Sequence, residues 1–597
     1  MSNLATKNVR IGCASGFWGD TSVAARQLVQ SGEIDYLVFD YLAEVTMSIL
    51  AGQKMKDPEA GYARDFIRVL QPLMPAIKKQ GITVVANAGG IHPQACRQAL
   101  LEAAEQAGIE LKVAIVEGDN LASRASELQS LAAWDQYAGE GESFPSRPVS
   151  INAYLGATPV RDALAQGADI VITGRCVDSA VVLGPLMHEF GWGEQDFDLL
   201  SAGSLAGHIL ECGAQCTGGN FTDWQDVPDY AHIGFPIADC AADGSFVVRK
   251  PAGTGGLVSE ATVAEQMVYE IGDPRQYMLP DVVCDWTQVS IKQVGENQVS
   301  VTGAKGLPPS DSYKVSATYM DGFRATGMLM LGGIDAAKKA RTVADAIIQR
   351  CNEIFAALNL GPFTEVDIEP LGAEATYGPH SRTADTREVF LKMAVKHPEK
   401  KALVIFSGEI APAATGMTPG ITGYFGGRPK VSPVIRLFST RINKADVPVT
   451  VDTGTGPQAV NVNSNGGFNA EMVLAQTEPA APDAAPEMVE VPLVKLAWGR
   501  SGDKGDHANI GIIARHTDYL PWIRAALSTD AVKAYFAHLC KGDVTRWELP
   551  GIHALNFLLE NALGGGGIAS LRADPQGKCF AQMLLDYPVP VPADLIK

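Results

Sequence analysis

Basic residues are in short supply: 48 Lys and Arg stand against 67 Asp and Glu over 597 residues, a net charge of −19. A protein that binds a nucleic-acid backbone needs a basic face, and none exists here at domain scale, so nucleic acid is not an expected partner. No run of about 18 apolar residues is present, so no membrane span is expected. The start, MSNLATKNVR, lacks the apolar stretch of an export signal. The ten cysteines form no Cys-x-x-Cys pair, and Cys212 and Cys216 have no second pair at zinc-finger spacing. Reduced thiols, a cytoplasmic location and no metal site follow as expectations. The dinucleotide fingerprint GxGxxG, the P-loop, the GxSxG elbow, HExxH and the EF-hand loop are all missing, so no cofactor is required by motif.

What is present is a globular composition, 46% hydrophobic and 19% charged, with 61 glycines gathered in short runs. Such a chain is too apolar to be disordered. Apolar runs at 9–15, 36–42, 82–88, 111–118, 149–156 and 169–174 are short, continuous and rich in β-branched residues, as strands covered on both faces should be. Helix-like stretches lie between most of them. This strand–helix alternation predicts an α/β fold with a parallel sheet over 6–195, doubly wound and Rossmann-like, with a TIM-like barrel as the alternative. Residues 196–475 read as an α+β second half. Residues 476–490 (QTEPAAPDAAPEMVE) are Pro-, Ala- and acid-rich, which suits a linker. Residues 491–597 read as a small ferredoxin-like α+β domain. It carries eleven basic and ten acidic residues, so the acidic excess belongs to the larger unit.

In α/β folds chemistry collects at the C-terminal ends of the strands. Those ends carry Gly16, Trp18 and Asp20, then Asp40 and Glu44, then Asn87, Gly89, Gly90 and His92, then Glu117 and Asp119, then Arg175 and Asp178. Gly and Asp are also good turn residues, so each loop taken singly has an ordinary explanation. Glu117 and Asp119 are candidate general bases, and His92 and Glu211 candidate acids. Arg175 with Asp178, and Arg382 with Arg387, are candidates for holding a carboxylate or oxyanion, or else structural ion pairs. Backbone amides around Gly89–Gly90, Gly218-Gly219-Asn220 and Thr254-Gly255 are candidate ligand contacts. The stretch 499–509 (GRSGDKGDHAN) reads as a glycine-rich anion loop armed by Arg500 and Lys504, or as a self-neutralised hairpin. Cys212 and Cys216 read as buried, inert thiols before reactive ones.

The long phrases GCASGFWGD, ANAGGIHP, VEGDN, GRCVDSA, ECGAQCTGGNF, GTGGLVSEATVAEQMVYEIGDP and WGRSGDKGDHANIG carry a more specific signal. With them the chain resembles the acyclic terpene utilisation AtuA family, over an AtuA domain at 6–475 and an AtuA-like ferredoxin-fold domain at 491–597. The resemblance implies a place in citronellol and geraniol catabolism, or that of a related branched acid, where substrates are acyl-CoA thioesters. Hydratase (hydro-lyase) chemistry is the first expectation, with coenzyme A entering only as part of the substrate and Arg500 and Lys504 gripping its phosphates. A non-catalytic acyl-CoA-binding or scaffold subunit of a carboxylase or lyase complex is the alternative, and a thiol enzyme using Cys216 a third. A low-charge, apolar chain of this size also suggests a homo-oligomer.

Overall fold

The computed structural model describes residues 7–134, 143–477, 479–482, 487–567 and 569–596. Its first strands are β1 (Asn8–Cys13), β2 (Tyr36–Phe39), β3 (Thr83–Ala86), β4 (Val113–Glu117), β5 (Pro148–Ala153) and β6 (Ile170–Thr173). Five of these lie side by side and parallel, in the order β1-β2-β3-β6-β4. Alternate residues feed two different cores: Leu37 and Phe39 join one, Tyr36 and Val38 the other. Helices Val23–Ser31 and Pro93–Gln106 fill the first core, and helices Ala180–Phe190 and Phe197–Leu210 fill the second. Cover on both faces is why the strands read as continuous apolar runs.

Antiparallel strands extend the parallel set at both sides. β7 (Ile237–Ala241) and β8 (Phe246–Arg249) follow β1, then Gln298–Thr302 and Ser290–Gly295; Thr450–Asp452 and Gln458–Ala459 lie beyond β4. The result is one eleven-stranded sheet with a linear strand order.

One expectation needs correction. The fifth apolar run, β5, leaves this sheet and pairs antiparallel with Ser312–Gly332, a strand of 21 residues in a separate six-stranded sheet. An apolar run covered on both faces looks the same in either sheet, and long-range pairing decides between them. The second sheet includes Glu365–Leu371, Glu388–His397, Ile421–Tyr424 and Ser432–Asn443, and packs against helices Ala336–Ala357 and Lys400–Glu409. Its link through β5 brings Tyr154, Lys314 and Ser316 to the ends of the parallel strands.

The last domain is a four-stranded antiparallel sheet with spatial order Ala497–Lys504, His507–Ala514, Ala554–Leu559, Val544–Leu549. This is the ferredoxin-like βαββαβ order with the final strand moved to the front of the chain. The stretch 499–509 is therefore a β-hairpin turning at Gly505-Asp506, and not an open loop. Its glycines are spent on packing. A Cβ at Gly502 would lie 2.6 Å from Glu270 Cγ, and one at Gly511 would lie 2.1 Å from Val268 Cγ2, so the large domain lies directly on the sheet. The expected linker 476–490 falls partly outside the described residues; at its start, Gln476 exchanges two hydrogen bonds with the Glu548 backbone. Among the described residues no helix is long and apolar enough to cross a membrane.

Candidate functional site

The parallel strands deliver three polar groups to one end of the sheet. Asp40 follows β2, Asn87 follows β3, and Arg175 follows β6. Asn87 Nδ2 donates to Asp40 Oδ1 at 2.5 Å while its Oδ1 accepts from Tyr41 N at 2.7 Å, which fixes the Asp40 carboxyl. Arg175 is held from three directions. Its backbone N donates to Asp119 Oδ2 at 2.8 Å, and its Nη1 donates to Cys176 O at 2.6 Å and to Asp178 Oδ1 at 2.9 Å. Its guanidinium lies 4.2 Å from the centroid of the Tyr154 ring. Arg175 Nε is buried and has no hydrogen-bond partner. A buried N–H left unpaired is costly and calls for an explanation, of which a ligand oxygen is one.

Four other elements converge on this floor. Helix Phe197–Leu210 carries His208 in its last turn and Glu211 at its C-cap. The second sheet supplies Tyr154, whose hydroxyl bonds Glu44 and lies 3.0 Å from Ser316 Oγ, together with Lys314. The chain after helix Glu260–Met267 supplies Glu270 and Tyr277, and the C-terminal hairpin supplies Asp503 and Lys504. Exposure grades across the set: the side chains of Arg175 and Glu211 are 5% and 12% exposed, those of Asp178 and Lys314 39% and 38%. The group therefore lines a cleft with a buried floor and a wet rim.

The electrostatics follow from that shape. Burial pushes Asp40 and Glu211 well above the ordinary carboxyl range; the nearby Asp178 pushes both the same way, and Arg175 only partly offsets this. Both carboxyls therefore hold their protons far more tightly than in water. Burial also acts on Glu44, but Lys314, Arg175 and the Tyr154 hydroxyl outweigh it and hold Glu44 down at about 2. Burial and then Asp503 raise Glu270, while burial and then Glu44 raise Asp503 to about 6. Burial, then the Lys504 charge, lowers His208 to about 4, so its ring is neutral at neutral pH; Nε2 contacts Met267 O at 3.2 Å, and Nδ1 lies 3.0 Å from Glu211 Oε1. The cleft thus sets carboxyls raised by burial beside cations, the arrangement from which acid–base pairs are drawn.

Of the residues singled out in the sequence, Arg175, Asp178, Glu211 and Lys504 meet in the cleft, with Asn87 supporting its floor. Asp119 is close by but serves the backbone: its Oδ2 accepts from Arg175 N and from Asn152 Nδ2 at 2.9 Å, and its carboxyl fills the space a Cβ at Gly174 would take. As a clamp beneath Arg175 it is not positioned as the base. Glu117, at the end of β4, bonds Gln94 on the exposed side, and His92 stands at the N-cap position of helix Pro93–Gln106 without capping it, its Nδ1 lying 3.0 Å from Ala60 O. Neither belongs to the cleft.

The glycine amides read as candidate ligand contacts are already engaged. Gly89 N donates to Thr173 O, Gly90 N to Asn87 O and Gly219 N to Ala214 O, while Gly218 caps the turn before exposed Asn220. Gly16 packs against the Cys212 backbone, with Asp20 accepting from Gly16 N, and Trp18 donates to Asp65. Thr254 and Gly255 close a turn on Pro251 O and His232 O. Arg382 is exposed and pairs with Asp586, and Arg387 is exposed near the second sheet. Arg500 is buried against Glu265, Gln215 Oε1 and Gly219 O, so it holds the two domains together and faces no phosphate. Burial pushes Cys212 well up and Cys216 up to about 12, leaving both as thiols.

Sequence reading missed Tyr154, Lys314, Glu270 and Tyr277 as site residues. Tyr154 read as part of an apolar strand and Glu270 as part of a family phrase, Lys314 and Tyr277 carried no motif, and only the folding of the second sheet and the last domain over the strand ends reveals them. Among the described residues, no group of three or more His, Cys, Asp or Glu is arranged to hold a metal ion.

Comparison with known proteins agrees with this two-part architecture. The family model for acyclic terpene utilisation family protein AtuA matches residues 9–453, and that for the AtuA ferredoxin-like domain matches residues 491–590. No curated protein and no solved structure matches the chain. With most of its length covered by these two models in order, the chain belongs to the acyclic terpene utilisation AtuA family.

Proposed function

We propose that this protein is an enzyme of acyclic terpene (citronellol or geraniol) or related branched-chain catabolism, and that it adds water to, or removes it from, an acyl-CoA thioester. The observation that carries the reading is the buried, unpartnered Arg175 Nε, in one cluster with Glu211, whose carboxyl burial raises well above the ordinary range, and with the rim carboxyl Asp178. In the hydration direction, Asp178 accepts a proton from water as the water oxygen bonds to the β-carbon. The electron pair of the double bond moves onto the thioester oxygen, which accepts from Arg175 Nε as an enolate. Glu211 then gives its proton to the α-carbon, and solvent carries a proton back from Asp178 to Glu211. Each such group is worth about 10²–10⁴ in rate. No redox step is involved, and the coenzyme A enters and leaves with the substrate.

The test is incubation of the full chain with a panel of branched unsaturated and hydroxylated acyl-CoA thioesters, read by mass spectrometry. A gain or loss of the mass of one water on a panel member supports the reading. Tight binding of thioesters with no change of mass on any of them overturns it, and favours a non-catalytic acyl-CoA-binding subunit.

A further inference from the structure

The C-terminal domain presents its hairpin to the cleft of the large domain, and one group on that hairpin is unspent. Lys504 is half-buried, with Nζ 5.2 Å from the centroid of the Tyr277 ring. Among the described residues no hydrogen bond or ion pair engages that ammonium, although its field reaches Glu211, His208, Glu270 and Asp503. With Arg175 Nε it is a second cationic donor of the cleft that no hydrogen bond engages.

The hairpin is rigidly placed. At its turn, Gly565 N donates to Asp506 Oδ1 at 2.7 Å, and Ala562 N donates to Asp506 O at 2.9 Å. A Cβ at Gly566 would lie 2.1 Å from Gly505 O, so the tetraglycine stretch 564–567 seats the turn by close backbone approach. Along the hairpin, Arg500 joins Glu265, Asn509 Oδ1 accepts from Glu270 N at 2.7 Å, and Trp498 and Arg515 both bond Asp223. A lysine fixed this way costs little further ordering when a ligand arrives.

We infer that the active site spans both domains: Lys504, carried in by the ferredoxin-like domain, is a substrate-binding residue that holds an anionic or carbonyl oxygen of the ligand. This rests on reading the cleft as the acid–base site. The C-terminal domain is then a working part of the site and not an accessory.

The test compares full-length wild type with Lys504→Met and Lys504→Arg. The first readout needs no ligand: the infrared band of protonated carboxyls, followed against pH. Loss of the ammonium should move the midpoint of the buried carboxyls up by about one pH unit or more, and Lys504→Arg should restore it. The second readout is calorimetric binding of dimethylacryloyl-CoA, expected to weaken about tenfold or more in Lys504→Met, and far less in Lys504→Arg, with unchanged thermal midpoints. Unmoved carboxyls, or equal binding by wild type and Lys504→Met, overturn the inference. Shifted carboxyls with no thioester bound by any of the three proteins leave Lys504 in the cleft and overturn instead the acyl-CoA reading.

Discussion

Replacing Asp119 by Asn removes a titration while keeping a shape. Asp119 is 3% exposed, accepts from Arg175 N and Asn152 Nδ2 through one oxygen, and is raised by burial from 3.8 to about 6 against the pull of those two bonds. An Asn can place its carbonyl oxygen where Oδ2 stands. Because the folded state holds the proton more tightly than the unfolded chain, stability is lost as pH rises between 3.8 and about 6. Two pH units at about 1.4 kcal/mol each give about 3 kcal/mol. Urea unfolding of wild type and Asp119→Asn at a series of pH values should show the variant gaining about 3 kcal/mol relative to wild type across that window, with a flat difference above it. The comparison is of slopes, so a constant offset from altered hydrogen bonds does not disturb it. A difference that stays constant across the window, or that moves against the variant as pH rises, refutes the argument that burial dominates at this carboxyl.

Other consequences are equally open to measurement. Glu265→Leu strands the buried Arg500 and should cost about 3–5 kcal/mol by chemical denaturation, whereas adding Arg500→Met should recover most of it; a double variant as unstable as the single one argues against a paired role. Gly511→Ala forces a methyl onto Val268 and should destabilise by about 1–3 kcal/mol, with Val268→Ala partly rescuing it; no loss in the single variant contradicts the close approach. A thiol reagent applied to the folded protein should label Cys579, the exposed cysteine, ahead of Cys216, with Cys579→Ser abolishing the fast phase in mass-spectrometric peptide mapping. Fast labelling of Cys216 contradicts the burial that keeps it a thiol.

The parallel sheet was legible because two covered faces impose continuous apolar runs, and runs such as YLVF at 36–39 have few other uses. The same logic misplaced β5, since VSINA is equally at home in either sheet and only its pairing with Ala317 and its neighbours decides. Arg175, Asp178 and Glu211 were readable as polar groups at strand and helix ends. Asp119 and Glu117 carried the same signal, yet one is consumed by the Arg175 backbone and the other faces outward. A chain with two carboxylates around one glycine does not disclose which way each points. Glycine misled most in 499–509, where Gly502 lets the chain after helix Glu260–Met267 lie on the sheet instead of shaping an anion loop. Glu270, Tyr277 and Lys314 were beyond reach because their roles depend on contacts across more than one hundred residues of sequence or on the docking of the last domain.

The central claim is that Glu211 delivers the proton to substrate carbon beside Arg175. The direct measurement is turnover of a reactive branched enoyl-CoA in heavy water by wild type and Glu211→Gln, with mass spectrometry locating the label. Wild type should place one deuterium on the α-carbon with each water added, and Glu211→Gln should lose this by about 10²-fold or more while still binding the thioester. Equal turnover and equal labelling by the variant would contradict the account.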